Sequence, residues 1–260
     1  VIHPGFQALS FTGSMTIGWM LKGIAGYKRV LLELGGNAGV IIEPDANLDV
    51  AIDRCVVGGY GYSGQTCISI QRIFVHASRY DQFLKPFVDR VRDLPVGDPS
   101  LENTVVGPLI NEQAARRVEA WIQEAVTDGA KILTGGTRKN SFIEPTVLTH
   151  VSSHMKVCCE EIFGPVVTVT PYADLEEALT LLNASEFGLQ AGLFTSNLDT
   201  MYHAYSQLEV GALLVNEIPT FRADHMPYGG VKQSGLGREG VRYAIQELTE
   251  PKLLVVKTPS

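Results

Sequence analysis

The sequence predicts an α/β protein whose sheet is largely parallel and open, with helices on both faces. Short apolar, β-branched runs alternate with helical patterns along the chain. Most of these runs are too continuously apolar to be half-exposed edge strands. With 260 residues, of which 45% are hydrophobic and 19% charged, the chain is long enough to bury a large core and too weakly charged to be mainly disordered.

Taken in chain order, the elements start at residues 9–18, which predict a strand, a tight turn and the beginning of a helix. The clearest helix covers residues 112–128, because apolar residues recur on one face, Asn111 is a good N-cap and Gly129 can end the helix. A second helix has an apolar face over residues 83–91, and Asp174 opens the capping box of a third. Strands are predicted over residues 40–43, 70–76, 166–170, 191–195, 211–216 and 252–257.

Charge and cysteine usage exclude several classes of protein. Twenty-one basic against 28 acidic residues leave a net charge of −7, so we expect no nucleic-acid partner. Four cysteines, at positions 55, 67, 158 and 159, do not fit a disulfide framework, so we expect a reducing, cytoplasmic setting. The cysteines also form no metal knuckle and no histidine pair has zinc-site spacing, so we expect no metal. No apolar run approaches bilayer length, so we expect no membrane partner.

Cys67 is a candidate nucleophile, because Gly64-Gln65-Thr66-Cys67 predicts a turn that presents the thiol just before a strand. The alternative is a small buried apolar residue, the usual role of a lone cysteine. Cys55 lies in a helical pattern and fits that packing role better. The local sequence leaves both interpretations of Cys67 open.

Glu33 is a candidate general base. It ends an apolar run with a leucine on each side, so burial would raise the pKa of its carboxyl into a useful range. The alternative, an outward-facing strand residue, is favoured by the spacing alone. Gly35 and Gly36 follow, and consecutive glycines after a strand allow another group to approach the backbone closely.

Two further segments could contact a cofactor. Gly13 and Ser14 lie at the first strand–helix turn, where backbone N–H groups suit a pyrophosphate, although the first glycine of GxGxxG is missing and an ordinary turn fits equally well. Glu161 and Phe163 precede a Gly-Pro turn that enters a strand. Their carboxylate and ring could hold a ribose and a flat heterocycle, or the segment could be a solvated loop anchored by the phenylalanine.

Together these segments resemble the aldehyde dehydrogenase superfamily. FTGS, LELGG, GQTC, EEIFGP and PYGGVKQSGLGREG occur in the order and approximate spacing of that family, and the resemblance covers essentially the whole chain. It implies an aldehyde-dehydrogenase-like catalytic domain. The implied roles are Cys67 as nucleophile, Glu33 as general base, Gly13 and Ser14 as the pyrophosphate turn, and Glu161 and Phe163 as contacts of the nicotinamide ribose and the nicotinamide.

The resemblance implies oxidation of a small-molecule aldehyde to a carboxylic acid with NAD or NADP, through a thiohemiacetal and a thioester on Cys67. A CoA-acylating relative would release the same thioester to a thiol. The presence of Glu33 favours release to water. A Cys/His hydrolase is a weaker interpretation, because no motif places a histidine near Cys67.

Family members carry an N-terminal portion that this sequence lacks, so we expect the chain to be a fragment that is inactive in isolation. Residues 1–34 would be the last strand–turn–helix–strand of a truncated dinucleotide-binding domain, residues 35–234 the catalytic domain, and residues 235–260 a C-terminal helix and oligomerisation strand. The apolar tail over residues 249–259 implies a homodimer or homotetramer. The alternative is a catalytically silent truncated or interaction module.

Two arginines lie where the family places binding residues. Arg222 falls in a loop that lines the substrate mouth of relatives, which makes it a candidate reader of a carboxylate or phosphate. We therefore expect a small acidic, phosphorylated or hydroxy aldehyde as substrate. Arg117 lies near a position of cofactor-contacting cations, but we interpret it as part of a solvated helix face.

Overall fold

The structure is a computed structural model that describes residues 1–258. Single turns of 3₁₀ helix at Gly61–Gly64 and Ala77–Arg79 precede β4 and α3. The elements, in chain order, are β1 Ala8–Thr12, α1 Met15–Ala25, β2 Arg29–Glu33, β3 Ala38–Ile42, α2 Leu48–Tyr60, β4 Ile70–His76, α3 Tyr80–Arg92, α4 Glu112–Thr127, β5 Lys131–Thr134, β6 Arg138–Lys139, β7 Phe142–Ile143, β8 Thr146–Thr149, α5 Lys156–Cys159, β9 Val166–Tyr172, α6 Leu175–Asn183, β10 Phe187–Gly188, β11 Gln190–Phe194, α7 Leu198–Gln207, β12 Ala212–Val215, β13 Val231–Lys232, β14 Gly235–Leu236 and α8 Val241–Leu248.

A seven-stranded sheet forms the centre, in the order β12-β11-β3-β4-β9-β8-β5. Every neighbouring pair in it is parallel except β5 and β8. A smaller sheet consists of β1, β2 and β14, in which β1 runs parallel and β14 antiparallel to β2. This pairing joins the start of the chain to the PYGGVKQSGLGREG segment near its end and places Gly235 opposite Glu33.

The central strands are apolar on both sides because helices cover both faces of the sheet. On one face, Val40 and Ile73 pack against Phe83 and Phe87 of α3. On the other face, Ile41 and neighbouring residues pack against α6 and α7. A third cluster joins α4 to the loop before β9. The predicted fold class, a largely parallel open sheet with helices on both faces, is confirmed.

Most predicted elements are present with shifts of one or two residues. Asn111 caps α4 by accepting a hydrogen bond from the Ala114 N–H, as predicted. Asp174 likewise accepts from the Glu177 N–H at the start of α6. The strand predicted over residues 252–257 is wrong for the single chain, because this apolar segment pairs with no strand of the described residues. Positions 259 and 260, which end the predicted oligomerisation strand, lie outside the described residues.

Across residues 1–258, none of the helices is both long enough and apolar enough to cross a bilayer.

Candidate active site

Cys67 lies on a turn between the Gly61–Gly64 helical turn and β4, as predicted from its glycine. Tyr62, Ser63 and Gly64 all have positive φ, which reverses the chain sharply before the cysteine. A side chain at position 64 would place its Cβ 2.1 Å from the carbonyl oxygen of Gly164, so only glycine fits there. The thiol is half-buried, and this burial raises the pKa of Cys67 above its ordinary value, with Glu161 and Glu33 adding to the effect.

The strained backbone before Cys67 is held by a neighbouring loop. The Ser63 hydroxyl donates to the Gly107 carbonyl at 3.0 Å and accepts from the Gly107 N–H at 2.9 Å. The Gln65 side chain accepts from the Ile110 N–H at 2.9 Å. These bonds offset the cost of the positive φ angles and fix the turn that carries the thiol.

Glu33 ends β2 and is buried, with 6% of its surface exposed. The interpretation as an outward-facing residue is therefore wrong. Neither carboxyl oxygen has a hydrogen-bond partner among the described residues. Desolvation is the main reason that its pKa rises to about 8; the charge of Glu239 adds to the shift, while Arg222 and Arg238 oppose it.

Gly35 and Gly36 allow two candidate functional residues to approach the backbone. A Cβ on Gly35 would lie 2.4 Å from the Glu161 Oε2 atom, and a Cβ on Gly36 would lie 2.0 Å from the Cys67 carbonyl oxygen. The Gly36 N–H donates to Glu161 Oε1 at 2.9 Å. The close approach predicted for these glycines is thus present, and it brings Glu161 and Cys67 to the same short segment that follows Glu33.

Glu161 and Phe163 lie on the loop between α5 and β9. The pKa of the Glu161 carboxyl rises to about 6, because burial outweighs the stabilising Gly36 N–H and the Arg117 charge. Phe163 has a positive φ of 49° and an exposed ring that borders a cleft of about 730 Å³ beside Tyr62 and Ile110. The hydrogen bond between Gly36 and Glu161 therefore anchors this loop, while the ring of Phe163 remains exposed.

Three buried or half-buried side chains hold this loop. Asn37 donates to the Cys158 carbonyl at 2.7 Å, and Gln71 donates to the Glu160 carbonyl at 2.9 Å and accepts from the Ile162 N–H at 3.1 Å. Arg117 donates to the Ile162 carbonyl at 2.7 Å while its guanidinium stacks on Trp121, 4.5 Å from the ring centre. The interpretation of Arg117 as a solvated helix residue is wrong, because the loop packs over it.

Gly13 and Ser14 form the turn between β1 and α1, as predicted. The Gly13 N–H donates to the Glu33 carbonyl at 3.0 Å, which places this turn next to the base candidate. Ser14 is the N-cap of α1, its side chain makes no capping bond, and both residues are exposed. An open hollow of about 660 Å³ adjoins the first turn of α1 beside Met15.

Tyr228 of the PYGG segment contacts the candidate nucleophile: its hydroxyl lies 3.3 Å from Cys67 Sγ. The Arg222 guanidinium lies over the Tyr228 ring at 4.1 Å and forms an ion pair with Glu239 at 2.9 Å. Arg222, the predicted substrate-binding residue, is therefore separated from Cys67 by the side chain of Tyr228.

Sequence reasoning missed Tyr228, Gln71 and Arg117 as residues of this site. Tyr228 could have been found as the single aromatic side chain of its motif, where it carries a hydroxyl next to two glycines. Gln71 could have been found as a polar residue inside an apolar strand, where burial demands hydrogen-bond partners. Cys55 is fully buried in α2, in agreement with the packing role expected for it. The described residues contain no cluster of three or more His, Cys, Asp or Glu side chains that could hold a metal ion.

A thiol on a turn, a buried carboxyl without hydrogen-bond partners among residues 1–258 and the N-terminus of α1 lie in one region of the structure. The chain belongs to the aldehyde dehydrogenase family, whose model matches residues 1–254. It is similar to 3-sulfolactaldehyde dehydrogenase of Priestia megaterium, with 45% identity over 247 residues, which cover 95% of this chain and 52% of that protein.

Two solved structures are also similar. Aldehyde dehydrogenase 21 from Physcomitrella patens, in complex with the reaction product succinate, has a TM-score of 0.96 and 45% identity, and the match covers 98% of this chain and 53% of that one. Glyceraldehyde-3-phosphate dehydrogenase GapN from Methanocaldococcus jannaschii, complexed with NADP, has a TM-score of 0.90 and 39% identity, with coverage of 93% and 53%. The chain thus spans about half the length of these relatives.

The residues present fit the nicotinamide dinucleotide that the family implies. The exposed Gly13–Ser14 turn leaves the first N–H groups of α1 available beside an open hollow, which suits a phosphate group. Glu161 is a fixed carboxylate that could accept hydrogen bonds from a ribose, and Phe163 exposes a flat ring.

Proposed function

We propose that this chain carries the catalytic residues of an NAD(P)+-dependent aldehyde dehydrogenase that oxidises an aldehyde to a carboxylic acid. The observation that carries the proposal is the buried Glu33 carboxyl, which has no hydrogen-bond partner among the described residues and lies near a cysteine fixed on a turn. A carboxylate in this state can accept a proton from water. That ability favours hydrolysis of an acyl-cysteine over transfer to CoA.

In the proposed reaction, the Cys67 thiolate attacks the aldehyde carbon and forms a tetrahedral oxyanion. The oxyanion re-forms its carbonyl bond and expels hydride, which leaves a thioester on Cys67. Bound NAD(P)+ supplies the hydride acceptor. Glu33 then takes a proton from a water molecule, whose hydroxide attacks the thioester, and cleavage of the carbon–sulfur bond releases the carboxylic acid and the Cys67 thiolate.

The raised pKa of Glu33 sets the expected pH dependence of the last step. A carboxyl with a pKa of about 8 is mostly protonated at neutral pH, and only its ionised form is a base. Thioester hydrolysis should therefore accelerate as the pH rises towards about 8 and level off above it.

We further propose that the substrate is a small acidic, phosphorylated or hydroxy aldehyde, with an anionic group favoured. Three of the relatives are named for, or contain, sulfolactaldehyde, succinate and glyceraldehyde 3-phosphate, all of which carry an anion, while others are named for lactaldehyde, a neutral hydroxy aldehyde. Arg222 supports this proposal, because its guanidinium lies over the ring of Tyr228, which contacts Cys67. One of its five N–H donors is bound to Glu239, so others remain for a carboxylate, sulfonate or phosphate.

Mass spectrometry of the Cys67 peptide tests the reaction. The natural gene product and the 260-residue chain are each mixed with NAD+ or NADP+ and a panel of acidic and neutral aldehydes, with and without CoA, and NADH or NADPH formation is recorded. In Glu33→Gln, the acyl group should accumulate on Cys67, because hydrolysis loses its base. The matched control is Glu102→Gln, an exposed loop residue. An unmodified Cys67 in an active Glu33→Gln protein would exclude the proposed roles of both residues, and acyl-CoA formation would favour the CoA-acylating alternative.

The substrate class is tested by comparing kcat/KM for an acidic and a neutral aldehyde in the wild type and Arg222→Ala. We expect the loss to be at least tenfold larger for the acidic aldehyde, which corresponds to about 1.4 kcal/mol. Equal losses for both aldehydes would reject Arg222 as an anion reader.

The domain division and the oligomer predicted from the sequence also remain proposals. Residues 8–33 contribute β1 and β2 to a small sheet that is separate from the seven-stranded sheet, which supports a boundary near residue 34. The side chains of residues 253–256 are 72–85% exposed, which supports a homodimer or homotetramer built through the tail. Light scattering of the chain with and without residues 249–260 tests this assembly.

A further inference from the structure

Tyr228 is held rigidly beside the candidate nucleophile. Its backbone N–H donates to the Glu239 carbonyl at 3.1 Å, and its carbonyl accepts from the Glu239 N–H at 2.6 Å. The side chain is buried, and Arg222 covers one face of the ring. The hydroxyl is therefore a fixed group 3.3 Å from Cys67 Sγ.

Among the described side chains around Cys67, this hydroxyl is the one that favours a thiolate. Burial and the carboxyls of Glu161 and Glu33 raise the pKa of the thiol, whereas the hydrogen bond with Tyr228 and a backbone hydrogen bond at Cys67 itself lower it. No arginine or lysine of the described residues forms a salt bridge or hydrogen bond with the sulfur. The nearby cation, Arg222, acts on the tyrosine ring and on Glu33.

The chemistry of the two groups favours the phenol as donor. A phenol is a stronger donor than a thiol, and a thiolate can only accept. The Arg222 guanidinium over the ring favours negative charge on the phenol oxygen, which makes the O–H a stronger hydrogen-bond donor.

We propose that the Tyr228 hydroxyl is a catalytic group that donates a hydrogen bond to the Cys67 thiolate, stabilises it and fixes the direction of its attack. The proton lost by the thiol passes to solvent. The place of this contact in catalysis rests on the proposed function, whereas the hydrogen bond itself can be tested without aldehyde or cofactor.

The test is the rate at which iodoacetamide alkylates Cys67, followed by mass spectrometry of its peptide as a function of pH. Tyr228→Phe removes a single oxygen atom, and circular dichroism verifies its fold. The expected result is that the midpoint of the rate profile rises by about one pH unit, which corresponds to a tenfold smaller thiolate fraction below the midpoint.

A more basic thiolate is also more nucleophilic by about threefold per pKa unit. The net rate below the midpoint should therefore fall about threefold, while the plateau at high pH should be as high as in the wild type or higher. Tyr202→Phe, an exposed tyrosine on α7, should reproduce the wild-type profile.

An unchanged or lowered midpoint in Tyr228→Phe would overturn the proposal, because the tyrosine would then be a bystander or an acceptor from the neutral thiol. This outcome is distinct from failure of the proposed function, since a chain that never reduces NAD(P)+ still gives the alkylation profile. In an active protein, the same variant should lower kcat/KM at neutral pH and recover part of the loss as the pH rises.

Discussion

Replacing Glu33 by glutamine should stabilise the folded chain at high pH. In the folded state the pKa of the Glu33 carboxyl is about 8, against an ordinary value of 4.5. Between these two pH values the folded state holds a proton that the unfolded chain has released. The free energy of unfolding of the wild type therefore decreases as the pH rises through this interval.

The magnitude follows from the two pKa values. At about 1.4 kcal/mol per pH unit, the interval from 4.5 to about 8 corresponds to a total of about 5 kcal/mol, of which roughly 3–4 kcal/mol falls between pH 5 and pH 8. Glutamine does not ionise, so the free energy of unfolding of Glu33→Gln lacks this decrease with rising pH. The buried amide has its own desolvation cost, but that cost is independent of pH and cancels when the two pH profiles are compared.

Urea unfolding of the wild type and Glu33→Gln, followed by circular dichroism at several pH values from 5 to 8, measures the difference. The stability of the variant relative to the wild type should increase by roughly 3–4 kcal/mol over this range. Glu102→Gln controls for the loss of an exposed carboxylate and should run parallel to the wild type. Parallel profiles for Glu33→Gln as well would show that Glu33 has an ordinary pKa and would refute the desolvation argument.

Two further predictions concern the packing around this site. Gly36→Ala should destabilise the chain by about 1–3 kcal/mol and slow Cys67 alkylation, because its Cβ would lie 2.0 Å from the Cys67 carbonyl oxygen. The control Gly23→Ala has open space around it in α1 and should be neutral or stabilising by up to about 1 kcal/mol. Equal urea midpoints for the two variants would contradict this prediction. Arg117→Ala should lower the free energy of unfolding by about 1–3 kcal/mol, because it leaves buried loop carbonyls unpaired. The control Arg116→Ala loses only an exposed ion pair and should change the free energy of unfolding by less than about 1 kcal/mol. Similar urea midpoints for the two variants would contradict the role of Arg117 in holding the loop.

The sequence predicted the central strands well because burial on both faces leaves a continuous apolar run. β3, β4, β9 and β11 were found in this way, and the half-buried edge strand β12 was found from its apolar run Ala-Leu-Leu-Val. β5 and β8 were not found because their four residues mix polar with apolar side chains, and β14 has only two residues. Their existence depends on hydrogen bonds to distant strands, which a local pattern does not contain.

The site shows the same division between local and distant information. The Cys67 turn was predictable because its glycine lies within three residues of the thiol. The burial of Glu33 was not, because the backbone that covers it includes Gly229, about 200 residues further along the chain. Arg117 was misread for the same reason, since a polar helix face and a face covered by a loop have the same local pattern.

The half-buried Glu161 and the buried Glu33 both lie near Cys67, and their different contacts divide their chemistry. Glu161 accepts the Gly36 N–H and its pKa rises only to about 6, whereas Glu33 has no partner among the described residues and its pKa rises to about 8. At neutral pH, Glu161 is therefore mostly ionised and fixed, which suits a permanent hydrogen-bond acceptor. Neutral pH is close enough to the pKa of Glu33 for its carboxyl to release and take up protons, which suits a base that must return to its starting state in every turnover. Exchanging the two environments would leave a base bound to a backbone N–H and an acceptor that is mostly protonated at neutral pH, so the Gly36 N–H helps to determine which carboxyl can perform which task.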